Sequence, residues 1–135
     1  RAGVNALIRG IDDIAGDNLP VITVMCTNRL NAIDPAVHRR AAGVFSFTRP
    51  NAEQRRHLLK QSFESLNFNA EQIEDLVQLT GETEARAYGF TYSDFTQRFF
   101  PSVILDAFPD KEVTFEQVVK VLGQIKPTPQ FKEGA

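Results

Sequence analysis

Val4, Leu7, Ile8, Ile11 and Ile14 recur at helical spacing and predict an amphipathic helix over residues 2–15, which Gly16, Asp17, Asn18 and Pro20 end. The run that follows, Val-Ile-Thr-Val-Met-Cys at 21–26, is short, β-branched and apolar on both faces. That pattern predicts a strand buried in a parallel sheet, lying between layers of helices. Residues 27–31 are polar and read as a loop. Asp34 followed by Pro35 supplies an N-cap and a proline at the first helical position, so a short helix is expected from Pro35 to about Ala41. Val44-Phe45-Ser46-Phe47 is a second strand candidate, and Thr48-Arg49-Pro50 breaks it before the pattern changes.

Beyond Pro50 the periodicity is helical. Asn51 with Gln54, and Asn69 with Gln72, have the spacing of capping boxes. Leu58, Leu59, Ser62, Phe63 and Leu66 form the apolar stripe of one helix, and Ile73, Leu76 and Val77 mark the next. Thr91 with Asp94 opens a third helix carrying Phe95, Phe99, Val103 and Ile104. Pro101 should kink or split it near Phe100, because proline lacks a backbone donor and clashes with the preceding turn. Thr114 with Gln117 starts a fourth helix through Val118, Val119 and Leu122, and Lys126-Pro127-Thr128-Pro129 cannot be helical. The reading is an α/β piece over 1–49, a compact four-helix bundle over 50–126 and a tail over 127–135, mainly α overall.

Composition narrows the classes. The 135 residues carry 15 basic and 17 acidic side chains, a net charge of −2, so the basic footprint expected of a nucleic-acid binder is missing. Cys26 is the one cysteine, which excludes a disulfide or a zinc cluster built within a single chain. Neither a transmembrane run nor a signal peptide is visible, and a cytoplasmic protein is expected. A start on Arg1 instead of methionine suggests excision from something longer.

Candidate chemistry sits where a parallel strand ends, because ligand contacts gather at that edge. Thr27 and Asn28 occupy it. An Asn there can orient a water or donate to a phosphate oxygen, or simply close a turn. Arg39 and Arg40, after His38, are forks able to clamp phosphate, or cations at a helix end pointing into water. His38 and His57 form no metal-ligand spacing and read as solvated or capping. The phenylalanines at 90, 95, 99, 100, 108 and 115 read as bundle core, with a surface receiving a partner helix as the other possibility for part of the set. Arg49, Arg55, Arg56 and Lys60 read as a solvated helix surface, with a basic face toward a partner as the other possibility.

Taken together, Val21-Ile-Thr-Val-Met-Cys-Thr-Asn-Arg-Leu-Asn-Ala-Ile-Asp-Pro-Ala-Val-His-Arg-Arg40 resembles the block of AAA+ ATPases in which a buried strand ends in Thr-Asn, followed by Asp-Pro-Ala and an arginine pair. Residues 4–12 look like the helix that precedes this strand in that family. Residues 51–63 look like the first lid helix, and Gly89-Phe90-Thr91-Tyr92-Ser93-Asp94-Phe95 is similar to the Gly-aromatic-Ser-Gly-Ala-Asp-Leu signature of the third. Val113-Thr114-Phe115 resembles the entry to the last lid helix.

The resemblance implies an α/β remnant of a P-loop large subdomain followed by an all-α lid. It also implies roles. Asn28, helped by Thr27, would be the sensor-1 residue reading the γ-phosphate of ATP. Arg39 or Arg40 would be the arginine finger reaching into a neighbouring subunit's site, a contribution of order 10³–10⁵ in rate in comparable systems. Gly89, Thr91, Tyr92 and Asp94 would set the start of the lid helix beside the nucleotide. The implied assembly is a homo-oligomeric, hexameric ring acting on a protein or other macromolecule, with ATP or ADP and magnesium in the parent protein.

This sequence departs from the family where Ala41-Ala42-Gly43-Val44 follows the arginines, where Tyr92 replaces a small residue, and at Pro101. It contains no Gly-Lys dipeptide for a phosphate loop, and Asp12-Asp13 sits in a helical pattern rather than at a strand end. Those parts are expected upstream. The chain alone is then expected not to hydrolyse ATP, and the 21–26 strand should present an exposed edge. Residues 1–48 should order only against another chain or the lid. The alternative is a non-catalytic interaction module that docks a protein partner.

Overall fold

The computed structural model describes residues 2–131; position 1 and the last four residues of the expected tail lie outside the described residues. The chain divides into two compact units, one up to residue 46 and one from 47 onward.

In the first unit, α1 spans Ala2–Gly16, matching the predicted stripe. Asn18, at φ 52°, turns the chain out of it. Asp34 caps α2 by accepting from the Ala36 amide at 2.8 Å, and Pro35 is its first residue, but α2 is shorter than expected, Pro35–His38. The two predicted strands do not form. Among the described residues there is no sheet, and residues 21–26 and 44–47 run without strand pairing. Nor is the first run buried between helices: Ile22 is 90% and Val24 77% exposed, and Phe45 in the second is 82% exposed. The reason is physical. A strand is stabilised by a partner's ladder, and hydrophobic character alone supplies no partner for the backbone N–H and C=O groups. Among the described residues α1 buries none, and Val37 is the buried apolar residue of this unit.

The second unit is a helical bundle. α3 (Ala52–Ser62) and α4 (Ala70–Leu79) both begin with complete capping boxes. Asn51 accepts from the Gln54 amide while Gln54 accepts from the Asn51 amide, and Asn69 and Gln72 repeat the exchange, all at 2.8–3.0 Å. Two orphan donors are thereby satisfied at each start. The third predicted helix runs unbroken through residues 92–107 and changes its hydrogen-bonding pattern just before Pro101. A π-helical stretch over Asp94–Phe99, in which the Phe100 amide reaches back to the Phe95 carbonyl, gives way to α5 (Phe100–Ala107). α6 (Phe115–Gln124) has half of the expected box: Thr114 accepts from the Gln117 amide, but the Gln117 side chain turns instead to Asp106 at 2.8 Å.

The core of this unit gathers Leu59, Leu76, Val77, Val118 and Leu122 around an aromatic cluster. Phe63 meets Phe99 and Phe100 edge-on at 5.9 and 5.4 Å, and Phe90 packs on Phe95 at 5.4 Å, the separations aromatic pairs prefer. Phe100 and Phe115 are half-buried against it. Phe108 departs from the core expected for it, 74% exposed beyond the end of α5. No helix among the described residues is long and apolar enough to cross a membrane.

Candidate functional site

The first unit sets out Thr27, Asn28, Arg39 and Arg40. The Thr27 hydroxyl accepts from the Arg29 amide at 2.9 Å, a local turn that holds the loop around Asn28. Asn28 is exposed and is not among the residues with left-handed backbone, which are Asn18 and Asn67. It therefore does not serve as a left-handed turn residue of their kind. The two arginines are brought to different ends. Arg40 folds back on α1, giving its Nε and Nη2 to the two oxygens of Asp12 at 2.7 and 2.9 Å and its Nη1 to the Ala36 carbonyl at 2.8 Å. This planar, two-pronged fit is what arginine offers and lysine does not. The same hydrogen bonds hold the Asp12 carboxyl below its usual range and push the Arg40 guanidinium up. The Arg39 amide closes α2 on the Pro35 carbonyl at 3.0 Å, and its exposed guanidinium has no hydrogen bond or ion pair to any described residue.

The second unit sets out Gly89, Thr91, Tyr92 and Asp94. Gly89 is buried, and a Cβ there would lie 2.7 Å from the Thr80 carbonyl oxygen, so only glycine allows this approach. The next amide, Phe90, donates to that same carbonyl at 2.9 Å. Thr91 and Asp94 form the expected reciprocal pair: the Thr91 amide donates to Asp94 Oδ2 at 2.9 Å and the Asp94 amide to Thr91 Oγ1 at 3.0 Å. Tyr92 stands 44% exposed at the start of the helix.

Asp94 does more than cap. Its side chain is 1% exposed, and its oxygens also accept from the Thr128 amide at 3.0 Å, the Thr128 hydroxyl at 2.6 Å and Arg98 Nη1 at 3.1 Å. Arg98 continues to the Lys126 carbonyl at 2.8 Å. Burial alone would raise this carboxyl; the donors from Thr128 and Thr91 outweigh it and bring it down to about 2. With both oxygens engaged, Asp94 holds the helix start and is not a free contact for a ligand. The segment expected to be mere tail is thus strapped to the bundle, with Pro127 buried beneath it.

A second set of arginines read as solvated surface or a basic face toward a partner, and two of them are instead folded onto backbone carbonyls of their own unit. Arg49 Nη1 donates to the Gly89 carbonyl at 2.8 Å and its guanidinium stacks on the Tyr88 ring at 4.9 Å. Arg55 donates to the carbonyls of Val77 at 3.3 Å and Pro50 at 3.0 Å, and desolvation pulls its pKa down. Their acceptors are backbone oxygens, those of Gly89 and Val77 40 and 22 residues away, which carry no signature in composition. Arg56 bridges Glu74 and Glu53, whereas His57 and Lys60 are exposed as expected. His38 is exposed too, and among the described residues no group of three or more His, Cys, Asp or Glu could hold a metal ion. Two open clefts of about 350 and 380 Å³ lie against α6, one beside Asp106 and Lys120 and the other beside Leu79 and Phe115. Neither includes any of the candidate residues.

No protein-family model matches the sequence. Curated relatives do. CD-NTase-associated protein 6 of Escherichia coli strain MS 115-1 is 51% identical over 97% of this chain and 42% of its own length, and that of strain KTE188 is 35% identical over 96% and 43%. The chain therefore spans somewhat under half of the curated relatives it matches. Among solved structures, the E. coli MS115-1 HORMA:CdnC:Trip13 complex contains a chain 51% identical, with a TM-score of 0.91 over 98% of this chain and 44% of that one. Rhizobiales Trip13 is 45% identical, with a TM-score of 0.83 over 96% of this chain and 49% of that one. The chain is homologous to part of CD-NTase-associated protein 6 and of Trip13, and this homology supports the AAA+-related character that its motifs suggest.

Proposed function

We infer that this chain is the sensor-1, arginine-finger and lid portion of an AAA+ ATPase, and that the longer protein couples ATP binding and hydrolysis to remodelling a protein partner. The observation that carries the reading is the likeness to the Trip13 chain of the HORMA:CdnC:Trip13 complex, at a TM-score of 0.91 over 98% of this chain. That complex pairs its Trip13 with other proteins, so a protein substrate is favoured over nucleic acid, in keeping with a net charge of −2.

Within this reading Asn28 orients the water that attacks the γ-phosphate, and Thr27 holds its loop. Arg39 is the finger. Arg40 is committed to Asp12 and braces α2 against α1, which leaves Arg39 as the exposed guanidinium able to meet developing phosphate charge across a subunit boundary. Thr91 and Tyr92 face the nucleotide from the start of the lid helix, with Gly89 and Asp94 holding them in place. The exposed donors at Asn28 and Arg39 fit a phosphate-bearing ligand. ATP with magnesium would supply the phosphoryl group and the metal that offsets its charge; the phosphate loop and the magnesium ligands belong to the rest of the longer protein. Residues 21–26 and 44–47 join a parallel sheet there, which makes the first unit an α/β remnant. A hexameric ring in the cytoplasm completes the proposal.

The test is ATP turnover by the full-length protein with Asn28→Ala, Arg39→Ala and Arg40→Ala variants, each mixed with wild type at varied ratios. Arg39→Ala subunits are expected to depress turnover steeply in mixed rings, with homogeneous rings losing about 10³-fold or more. Asn28→Ala should slow turnover within its own subunit, and Arg40→Ala should act more weakly. Unchanged turnover in all three would overturn the assignment of these residues, and no turnover by wild type would leave a partner-docking module without hydrolysis.

A further inference from the structure

The segment that leads into the Thr91–Asp94 turn is held more firmly than a surface loop requires. Residues 81–89 form a narrow hairpin in which Thr83 and Arg86 exchange backbone hydrogen bonds at 2.9 and 3.0 Å. The Arg86 side chain closes it, its Nε donating to the Tyr88 carbonyl and its Nη2 to the Gly81 carbonyl, both at 2.6 Å. Arg49 arrives from 40 residues earlier, binds the Gly89 carbonyl at 2.8 Å and lies 4.9 Å from the centre of the Tyr88 ring. Arg86 lies 5.9 Å from the same ring. Neither guanidinium is ion-paired to a carboxylate among the described residues. Both are half-buried, and every donor named above goes to a backbone oxygen.

The chemistry fits a clamp. A guanidinium against an aromatic face and a carbonyl fixes two successive residues at once, because the stack sets the ring and the hydrogen bond sets the peptide plane beside it. Gly89 makes that plane consequential. A Cβ there would lie 2.7 Å from the Thr80 carbonyl oxygen, to which the Phe90 amide donates, so a shift at Tyr88 and Gly89 has little room locally and passes on to Phe90, Thr91 and Tyr92.

We propose that Arg49 is a positioning residue for nucleotide binding: by clamping Tyr88 and Gly89 it sets where Thr91 and Tyr92 meet ATP. The inference rests on the reading that those two residues face ATP. It carries a signature that a merely structural role lacks. The residues assigned to the chemical step, Asn28 and Arg39, are not held by Arg49, so its loss should weaken nucleotide binding and spare the chemical step.

The experiment uses the full-length protein and compares Arg49→Gln, Arg49→Lys, Tyr88→Leu and, as a reference, Asn28→Ala. The readouts are the Kd for a fluorescent ATP analogue, KM and kcat for ATP, and thermal melting. Arg49→Gln is expected to raise Kd and KM about 10-fold with kcat within about two-fold, the scale of one charge-assisted hydrogen bond and its stack. Arg49→Lys keeps a charged donor but not the flat stack, and should recover part of that loss. Tyr88→Leu removes the stack with Arg49 free to keep its hydrogen bond, and should shift Kd in the same direction by less. Folded Arg49→Gln protein with unchanged Kd and KM overturns the inference. So does a fall in kcat that follows the folded fraction at constant KM. If wild type shows no turnover, or Asn28→Ala does not slow it, the ATP reading fails and this inference falls with it; a slowed Asn28→Ala beside an unmoved Arg49→Gln overturns the clamp alone.

Discussion

Replacing Asp94 with asparagine tests how the lid helix is held. The carboxylate accepts from the Thr91 amide, both the amide and the hydroxyl of Thr128, and Arg98, with its side chain 1% exposed. It titrates at about 2 in the fold, against an ordinary value of 3.8. A carboxyl whose folded pKa lies below its unfolded one contributes stability that is complete above the unfolded value and is lost as pH falls through the folded one. Here that contribution is about 2 kcal/mol at neutral pH, disappearing between about pH 4 and pH 2. Asparagine keeps one acceptor and points an N–H₂ at donors that expect an oxygen, so a cost of about 2–3 kcal/mol is expected for Asp94→Asn at pH 7. For a unit of this size that lowers the melting temperature by about 10 °C. The assay is urea unfolding of the chain at pH 7, 5, 4, 3 and 2, followed by far-ultraviolet circular dichroism. Wild type should lose its advantage over the variant progressively below pH 4. A variant within about 0.5 kcal/mol of wild type at pH 7, or a gap that persists unchanged at pH 2, refutes the reasoning.

Two further substitutions address the same unit. Gly89→Ala places a methyl 2.7 Å from the Thr80 carbonyl oxygen, a backbone atom that cannot swing away, and should cost about 1–3 kcal/mol in denaturant unfolding; a neutral result would mean the loop shifts freely. Phe99→Ala empties a fully buried site edge-on to Phe63 and Phe90 and should cost about 3–5 kcal/mol, whereas Phe108→Ala, on an exposed ring, should stay within about 0.5 kcal/mol in the same melts.

What could be read from the residues alone follows the range of the interactions involved. The starts of α3 and α4 and the Thr91–Asp94 turn were legible because donor and acceptor lie three residues apart, so the pattern contains the whole interaction. The disturbance beside Pro101 was legible for the same reason, since a missing amide is a local fact, although it takes the form of a π-helical stretch and not a break. Residues 21–26 failed as a strand because a strand's hydrogen bonds belong to a neighbour, and the same apolar run without one lies open to solvent. Arg49, Arg55 and Thr128 were missed because their acceptors lie 40, 22 and 34 residues away, two of them plain carbonyls. For the arginine pair, sequence position put two equal candidates side by side; Asp12, 28 residues earlier, separates them.

The twin capping boxes of α3 and α4 also bear on the order in which the chain acquires structure. Each helix start is settled by contacts three residues long, which need almost no loop closure and form early. The two helices and the short connection between them can therefore nucleate the bundle by themselves. The ties at Gly89 and Asp94 enclose loops of 40 and 34 residues and close onto a bundle already in place. Interactions absent from the folding transition state act on the unfolding rate. The edge assigned to the nucleotide is thus expected to set last and to open first, with the α3–α4 pair beneath it still folded.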